Sequence, residues 1–321
     1  MKTYYVKDLQ KGLVINNESF AVKLSETGTT KDGKAYYKLL LIDKTGEIKA
    51  QVWNDKIPNV EKGCLKPGNI VMINGTVEDY RGVLQLNVFG ASRVSESKVS
   101  DYMEASDFDI DELWTDLNNH ISSIKSPDIQ TLMAKTLADA DLVRKFRTYP
   151  AAEYVHHDFQ GGLLEHVVEM MDTVQPLRRF YPEANFDLVI VGIFFHDIGK
   201  LWELEPVGVT IERTNEGYLM GHLVKSFEVF SQLASGTLKP ETMLSIQHII
   251  LAHHGSKDFG SPVVPASIEA AIVFGVDYLS TKIRIFQKVL RKNTENEGFF
   301  SETDKFIGGK VFLGDFKNVT D

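Results

Sequence analysis

The reading of this chain is decided by the segment Ile193-Phe194-Phe195-His196-Asp197-Ile198-Gly199-Lys200, in which a histidine and an aspartate end an apolar run. The run from Leu188 to Phe195 is apolar nearly all round, which is typical of a central, buried helix. Burial of a His–Asp pair costs free energy unless the two side chains are hydrogen-bonded or bind a metal. The dipeptide therefore predicts a metal site whose other ligands come from helices on either side.

The candidate ligands share an apolar helical setting. They are His166, His196, Asp197, His222, His253, His254 and Asp277. A lone histidine on an apolar face is usually a satisfied core residue, but this many on five predicted helices need another explanation. Imidazole and carboxylate groups bind Mn²⁺, Fe²⁺, Co²⁺, Ni²⁺ or Zn²⁺, and a helical scaffold can point them inward together. Because none is a cysteine, the set favours a hydrolytic centre over a structural zinc site.

The first 92 residues predict an all-β domain. Short runs with β character are separated by glycine-containing or charged turns, and they lie at 19–27, 35–43, 47–53, 70–78 and 83–89. Five short strands without an intervening long helix predict a small barrel, and an OB-fold is the leading candidate of that size.

Alternation along the second and third predicted strands sorts their side chains into two faces. The outward face carries Tyr36, Lys38, Lys49, Gln51 and Trp53. Rings that stack on bases and lysines that pair with phosphates would suit single-stranded nucleic acid. An ordinary solvated sheet face, with rings packed on their neighbours, is the alternative.

The remaining chain predicts a linker over 93–110, an all-α domain over 111–292 and a C-terminal tail over 293–321 of unknown role. The predicted helices span 111–124, 127–139, 140–148, 163–175, 187–200, 219–235, 240–254 and 266–291. Together these patterns predict a multidomain protein, with an N-terminal all-β OB-fold barrel and a C-terminal all-α domain. His156 and His157 precede the first ligand helix, where we expect a surface loop; contact with the substrate or with the residues that surround the ligands is the alternative.

Composition limits the possible function classes. Hydrophobic residues make up 43% and charged residues 25% of the 321 residues, as in ordinary globular proteins. The single cysteine, Cys64, excludes an internal disulfide framework, and no apolar run approaches the length of a membrane span. The net charge of −9 argues against coating of duplex DNA. We therefore expect a cytoplasmic protein without a membrane partner; an oligomer is compatible with the sequence.

The ligand pattern resembles that of a known superfamily. His166, then His196-Asp197, then Asp277 match the H…HD…D signature of HD-domain phosphohydrolases, and residues 196–200 are the HD-x-GK form of it. His222 and the pair His253-His254 match the extra histidines of binuclear members. With a barrel ahead of this domain, the whole chain resembles the bacterial OB-fold/HD-domain 3′→5′ exoribonucleases of the YhaM type.

The resemblance implies which residues would bind each of two metal ions. His166, His196, Asp197 and Asp277 would hold one metal ion, and Asp197 would bridge to a second held by His222 with His253, His254 or both. The metal ions, Mn²⁺ or Co²⁺ by expectation, would supply a water of lowered pKa for attack on phosphorus. Lys200 would neutralise a phosphate oxygen; its alternative is a surface lysine near a helix C-terminus.

The predicted activity is metal-dependent 3′-5′ exonucleolytic hydrolysis of single-stranded RNA, with single-stranded DNA as a further substrate. Two other functions stay open at this point. One is a phosphodiesterase or nucleotidase for mononucleotides or cyclic nucleotides, and the other is a non-catalytic nucleic-acid-binding replication factor.

Overall fold

The computed structural model describes residues 2–94, 101–102, 106, 108–153, 157, 159–293 and 298–314. The chain divides into two compact units, Met1–Ala105 with Pro206–Glu212 and Ser106–Glu205 with Arg213–Asp321. Of the helices in these described ranges, none combines the length and the apolar character that crossing a membrane requires.

Five strands of the first unit close into a barrel in the order β1-β2-β3-β5-β4. They are β1 (Val14–Thr29), β2 (Ala35–Asp43), β3 (Gly46–Val52), β4 (Ile70–Tyr80) and β5 (Val83–Arg93). Neighbouring strands pair antiparallel, except that β3 and β5 are parallel. This arrangement is the predicted OB-fold.

Local sequence explains the barrel. The alternate residues of β2 and β3 that face inward are buried, namely Leu39, Leu41, Ile48, Ala50 and Val52. The two-residue turn Arg81-Gly82 has positive φ at both positions (55° and 80°), which is the hairpin geometry that matches strand twist. β1 is longer than predicted because register shifts bend it, so its first part pairs with β4 and its second part with β2.

The second unit is built from α-helices. Among the described residues they are α1 (Ile110–Ser122), α2 (Pro127–Leu137), α3 (Ala140–Thr148), α4 (Gly162–Val174), α5 (Phe186–His196), α6 (Lys200–Glu203), α7 (Asn215–Ala234), α8 (Pro240–Ala252) and α9 (Ile268–Lys292). The predicted all-α domain is thus present. The prediction of one helix over 187–200 was wrong at its C-terminal end, because α5 ends at His196 and a short α6 begins at Lys200.

A β-hairpin interrupts the helical sequence and was not predicted. It consists of β6 (Leu204–Val207) and β7 (Thr210–Arg213), which pair as a two-stranded sheet. Gly208 turns the chain between them with a φ of 61°. Four-residue strands are too short to establish an alternating pattern in the sequence.

Helix α5 lies in the core of the helical unit. The side chain of Asn185 caps it by accepting hydrogen bonds from the backbone N–H groups of Asp187 and Leu188. Apart from the half-buried Leu188, its apolar side chains are almost completely buried, and each of them stabilises the fold by about 1.5–3 kcal/mol. A Cβ at Gly192 would lie 2.7 Å from Cγ2 of Ile249, so this glycine lets α8 pack closely. The burial fixes the position at which His196 ends the helix.

Candidate metal centre

His196 and Asp197, at the end of α5, are arranged as metal ligands would be. Nδ1 of His196 donates to the carbonyl oxygen of Ile193 at 2.6 Å, so in the neutral ring Nε2 carries the lone pair. This Nε2 is buried, has no hydrogen-bond partner among the described residues, and lies 3.2 Å from Oδ2 of Asp197. A buried, unpartnered imidazole nitrogen beside a carboxylate fits a cation.

The other four candidate histidines repeat this pattern. Each engages its Nδ1 with an outer group: His166 with Oγ of Ser280 (3.1 Å), His222 with Oε2 of Glu203 (2.6 Å), His253 with the carbonyl of Ile250 (2.7 Å) and His254 with the carbonyl of Phe259 (3.0 Å). Such outer hydrogen bonds orient metal-binding histidines and direct Nε2 inward. The Nε2 atoms of His222 and His254 face each other at 3.2 Å, an arrangement that a shared cation favours.

The two carboxylate oxygens of Asp197 face different histidines. Oδ2 lies 3.2 Å from Nε2 of His196 and 4.0 Å from Nε2 of His166. Oδ1 lies 3.6 Å from Nε2 of His222 and 3.7 Å from Nε2 of His253, and it has no hydrogen-bond partner in the described part of the chain. One carboxylate therefore stands between two sets of nitrogen donors.

All seven predicted ligands come together in this place. Three groups have ligand atoms within 4.8 Å of one another: His166, His196 and Asp197; His196, His253 and Asp277; and His222, His253 and His254. The groups share members, so they form one continuous cluster. These residues can hold a metal ion, and both members of the His253-His254 pair belong to the cluster.

The electrostatics of the cluster favour ionised carboxylates. Burial alone would raise the pKa of Asp197, but the charges of Lys200 and His196 outweigh burial and hold that pKa well below its usual range. Burial is likewise outweighed at Asp277, whose pKa is lowered by its hydrogen bond with His166 and by the charge of His196. Both side chains are therefore anionic at neutral pH, which metal binding requires.

The histidines of the cluster differ in proton affinity. Burial, together with the charge of His196, lowers the pKa of His253 well below its ordinary value, and burial lowers that of His254. At His196 burial also acts to lower the pKa, but the attraction of Asp197 exceeds it and the pKa is raised. A cation that binds to this histidine would therefore displace a proton.

Lys200 is part of the same cluster. It is 8% exposed, and its Nζ lies 2.6 Å from Oδ2 of Asp197. The alternative of a surface lysine at a helix C-terminus was wrong, because Lys200 begins α6 and its side chain is buried. The lysine thus places a positive charge directly beside the ligand cluster.

Two glycines position His222. The backbone N–H of Gly199 donates to Oγ of Ser226 at 2.8 Å, and a Cβ at Gly199 would lie 2.3 Å from the carbonyl oxygen of His222. Gly221 has a φ of 70° and a ψ of 161°, so it breaks α7 immediately before His222. Since side chains disfavour this backbone conformation, glycine allows the break. His222 therefore begins a helical segment packed against the turn after Asp197.

Outer residues around the cluster were not predicted. Besides Glu203 and Ser280, Arg284 of α9 contacts two carboxylates of α4, Glu165 at 2.6 Å and Glu169 at 2.7 Å. Although burial acts in the opposite direction, hydrogen bonds from His157 and Arg284 lower the pKa of Glu169 to about 2. These contacts tie the helix that carries His166 to the helix that carries Asp277.

The expectation of a surface loop at His157 was wrong. The His157 side chain is buried, with its ring centroid 5.2 Å from that of His166 and its Nε2 3.4 Å from Oε2 of Glu169. Burial lowers its pKa to about 4. His157 therefore packs behind His166, whereas His156 lies outside the described residues.

The outward barrel face holds a pair of stacked rings. Tyr36 and Trp53 have ring centroids 5.1 Å apart at 26°, and Nζ of Lys38 lies 5.7 Å from the Tyr36 ring. Lys38 and Lys49 are exposed, and Trp53 is 39% exposed. The four predicted contacts thus share one face, although the two rings also pack on each other.

Comparisons with known proteins identify the family. An HD domain model matches residues 163–282. The chain is 33% identical over 279 residues to the 3′-5′ exoribonuclease YhaM of Oceanobacillus iheyensis, which covers 84% of this chain and 85% of that protein. The chain belongs to the YhaM family of 3′-5′ exoribonucleases. The YhaM of Bacillus subtilis is 31% identical over 295 residues, a match that covers 88% of this chain and 92% of that protein. The predicted resemblance, and with it the prediction of an enzyme, is confirmed.

Solved structures resemble a smaller part of this YhaM-family chain. The second OB-fold domain of replication protein A from Methanococcus maripaludis is 24% identical, covers 30% of this chain and 97% of its own, and has a TM-score of 0.23. An OB domain from Methanosarcina mazei is 20% identical and has a TM-score of 0.26. The match covers 34% of this chain and 97% of that domain. The strand order itself assigns the barrel to the OB-fold.

Proposed function

We propose that this chain is a metal-dependent 3′-5′ exoribonuclease that acts on single-stranded RNA. The observation that carries the proposal is Asp197, whose two oxygens face separate histidine groups at 3.2–4.0 Å in a chain of this family. A bridging carboxylate between two sets of nitrogen donors fits a two-metal hydrolytic centre. A non-catalytic replication factor would have no use for such a ligand set.

The residues of the cluster form two sets of proposed ligands, with Asp197 in both. His166, His196, Asp197 and Asp277 would hold one divalent cation, and Asp197, His222, His253 and His254 would hold the other. The donor set of nitrogen and carboxylate oxygen suits Mn²⁺ or Co²⁺, with iron, nickel or zinc as further occupants. Bound divalent cations supply a water of lowered pKa and neutralise charge on phosphate oxygens.

The side chains around the cations position and stabilise the reactants. Asp197 stays ionised and keeps both donor sets together, and the Nδ1 hydrogen bonds hold the histidine rings in place. Lys200 would stabilise the negative charge that develops on a non-bridging phosphate oxygen, because its ammonium is already fixed beside Asp197. The buried end of α5 excludes bulk water behind His196.

The outward face of the barrel is an argument for a polymeric substrate. Trp53 and Tyr36 would stack on bases, and Lys38 and Lys49 would pair with phosphates of a single strand. A mononucleotide or cyclic nucleotide would not need this surface, which is why RNA is the better substrate for the whole chain.

Glu203 provides a prediction about the second cation. Replacing Glu203 by glutamine keeps its shape but removes the charge that holds Nδ1 of His222 at 2.6 Å and pairs with Arg213 at 3.3 Å. We expect the affinity for the cation at His222 to fall about 10- to 100-fold, with the other cation retained. Isothermal titration of the apoprotein with Mn²⁺ measures the affinities for both cations. Glu228→Gln, which removes a carboxylate of α7 that pairs with Lys225 at 2.9 Å, is the matched control. Two unchanged affinities in Glu203→Gln would contradict the assignment.

Digestion of 5′-labelled single-stranded RNA tests the activity itself. With Mn²⁺ or Co²⁺ we expect a ladder that shortens from the 3′ end, and no ladder after metal removal with EDTA. The same DNA sequence, a mononucleotide and a cyclic nucleotide are run in parallel. RNA that stays intact with every divalent metal would refute the exoribonuclease, and faster hydrolysis of the small nucleotides would favour the phosphodiesterase or nucleotidase.

A further inference from the structure

A cavity opens in the first unit between strands β1 and β2 and residues 57–67, which we call the lining segment. Its volume is about 440 Å³, within the range of about 300–1,000 Å³ that is typical of small-molecule sites. Ser25 of β1 and Tyr37 of β2 line it on the strand side. The cavity shares no residue with the outward face that we propose for RNA, so it is a second candidate site on the barrel.

Contacts with the barrel hold the lining segment in place. Oε2 of Glu61 accepts a hydrogen bond from the backbone N–H of Arg93 at 2.9 Å. Nδ2 of Asn69 donates to the carbonyl oxygen of Cys64 at 2.9 Å, and the side chains of Cys64 and Leu65 are buried in the barrel core. The cavity is therefore formed before a ligand arrives, which lowers the entropic cost of binding.

One part of the cavity lining is apolar. Ile57, Val60 and Tyr37 are half-buried and pack against the same barrel core that contains Leu65. The aromatic ring among them gives a flat ligand group a surface on which it can stack, offset or edge-to-face. This part of the lining suits a planar, largely apolar group such as a nucleobase.

Another part of the lining is positively charged. Lys62 and Lys66 are exposed, and neither pairs with an acidic side chain in the described ranges. The carboxylate of Glu61, which also lines the cavity, already accepts the N–H of Arg93. In a chain with a net charge of −9, two unpaired ammonium groups beside one cavity favour an anionic ligand there.

We propose that this cavity binds one nucleotide, with the base against Tyr37 and the phosphate near Lys62 and Lys66. An aromatic ring together with ammonium groups is the combination that holds a base and its phosphate. The choice of a nucleotide among anions rests on the proposed exoribonuclease function, because hydrolysis of RNA releases nucleoside monophosphates. A released nucleotide and one residue of a bound strand share this chemistry, and the experiment distinguishes them.

Calorimetric titration of the full chain in EDTA with adenosine 5′-monophosphate tests the cavity without turnover. Ser25→Phe fills the cavity and should weaken binding at least about tenfold, whereas Ser25→Ala leaves it open and should bind like the wild type. Lys62→Met/Lys66→Met should also weaken binding about tenfold, because the charge for the phosphate is lost. Lys11→Met changes an exposed lysine outside the cavity and is the matched control.

A labelled oligoribonucleotide, titrated in EDTA and followed by fluorescence anisotropy, identifies the source of the nucleotide. If adenosine 5′-monophosphate does not bind but RNA binds more weakly to Ser25→Phe than to Ser25→Ala, the cavity holds one residue of the strand.

The inference is overturned if a folded Ser25→Phe, as judged by its Tm, binds both ligands as Ser25→Ala does. If Ser25→Phe does not fold, equal binding by Lys62→Met/Lys66→Met and Lys11→Met overturns it. The failure of the proposed function has a different sign, namely RNA that stays intact in the wild-type digestion with every divalent metal.

Discussion

Asp197→Asn is expected to abolish RNA hydrolysis, with kcat/KM falling at least about a thousandfold. The reason is the position of the carboxylate, whose Oδ2 faces His196 and whose Oδ1 faces His222. An amide carries no negative charge and cannot offer two anionic oxygens to two cations. Metal content per chain, measured by mass spectrometry after dialysis, should fall together with the rate of RNA digestion.

The same substitution tests the energetics of Lys200. Its Nζ lies 2.6 Å from Asp197 and the side chain is buried, so Asp197→Asn leaves a buried charge without its carboxylate. We expect a loss of about 3 kcal/mol in the free energy of unfolding. The double variant Asp197→Asn/Lys200→Met removes the unpaired charge as well and should recover most of this loss.

Comparison of the two variants separates folding from chemistry. The double variant should be stable, as measured by urea unfolding, yet remain inactive and poor in metal. Asp258→Asn, which changes an exposed carboxylate, should leave activity and stability unchanged. A stable double variant with kcat/KM near wild type would show that Asp197 is a structural partner of Lys200 rather than a bridging ligand.

The cluster of candidate ligands was predictable because local sequence patterns indicate its chemistry. His196-Asp197 follows an all-apolar helix, and the other candidate ligands lie on apolar helix faces, so each could be recognised within one turn of sequence. The barrel was predictable for the same reason, because β2 and β3 alternate strictly. What the pattern supplies is the identity of the inward-facing groups.

The outer hydrogen bonds depend on contacts distant in sequence. Ser280 lies 114 residues from His166, and the unpredicted hairpin β6–β7 separates Glu203 from His222. A signal for Ser280 was nevertheless present, since it follows Asp277 by three residues on the same face of α9. For His157 the only signal was its position just before the helix of His166, because no helical or strand pattern surrounds it. Its burial depends on the way the chain folds back against α4.

Replacement of Gly199, the glycine of the HD-x-GK segment, is expected to have the second large effect on activity. Gly199→Ala would place a Cβ 2.3 Å from the carbonyl oxygen of His222 and 2.6 Å from the backbone nitrogen of Ser226. Neither backbone atom can rotate away, so the start of the second segment of α7 must shift. We expect about 1–3 kcal/mol of destabilisation. Because His222 moves with that backbone, kcat/KM should fall about a hundredfold and the second cation should bind more weakly.

Two controls decide between steric displacement and loss of a hydrogen bond. Ser226→Ala removes the acceptor of the Gly199 N–H group without adding bulk, and should cost about 1 kcal/mol with a smaller effect on the rate. Gly309→Ala adds a Cβ where nothing lies within 4 Å and should change neither quantity. RNA digestion, manganese titration and urea unfolding of the three variants measure kcat/KM, cation affinity and stability. If Gly199→Ala retained both cations and wild-type kcat/KM, the close packing of this turn against His222 would not be what positions the second half of the centre.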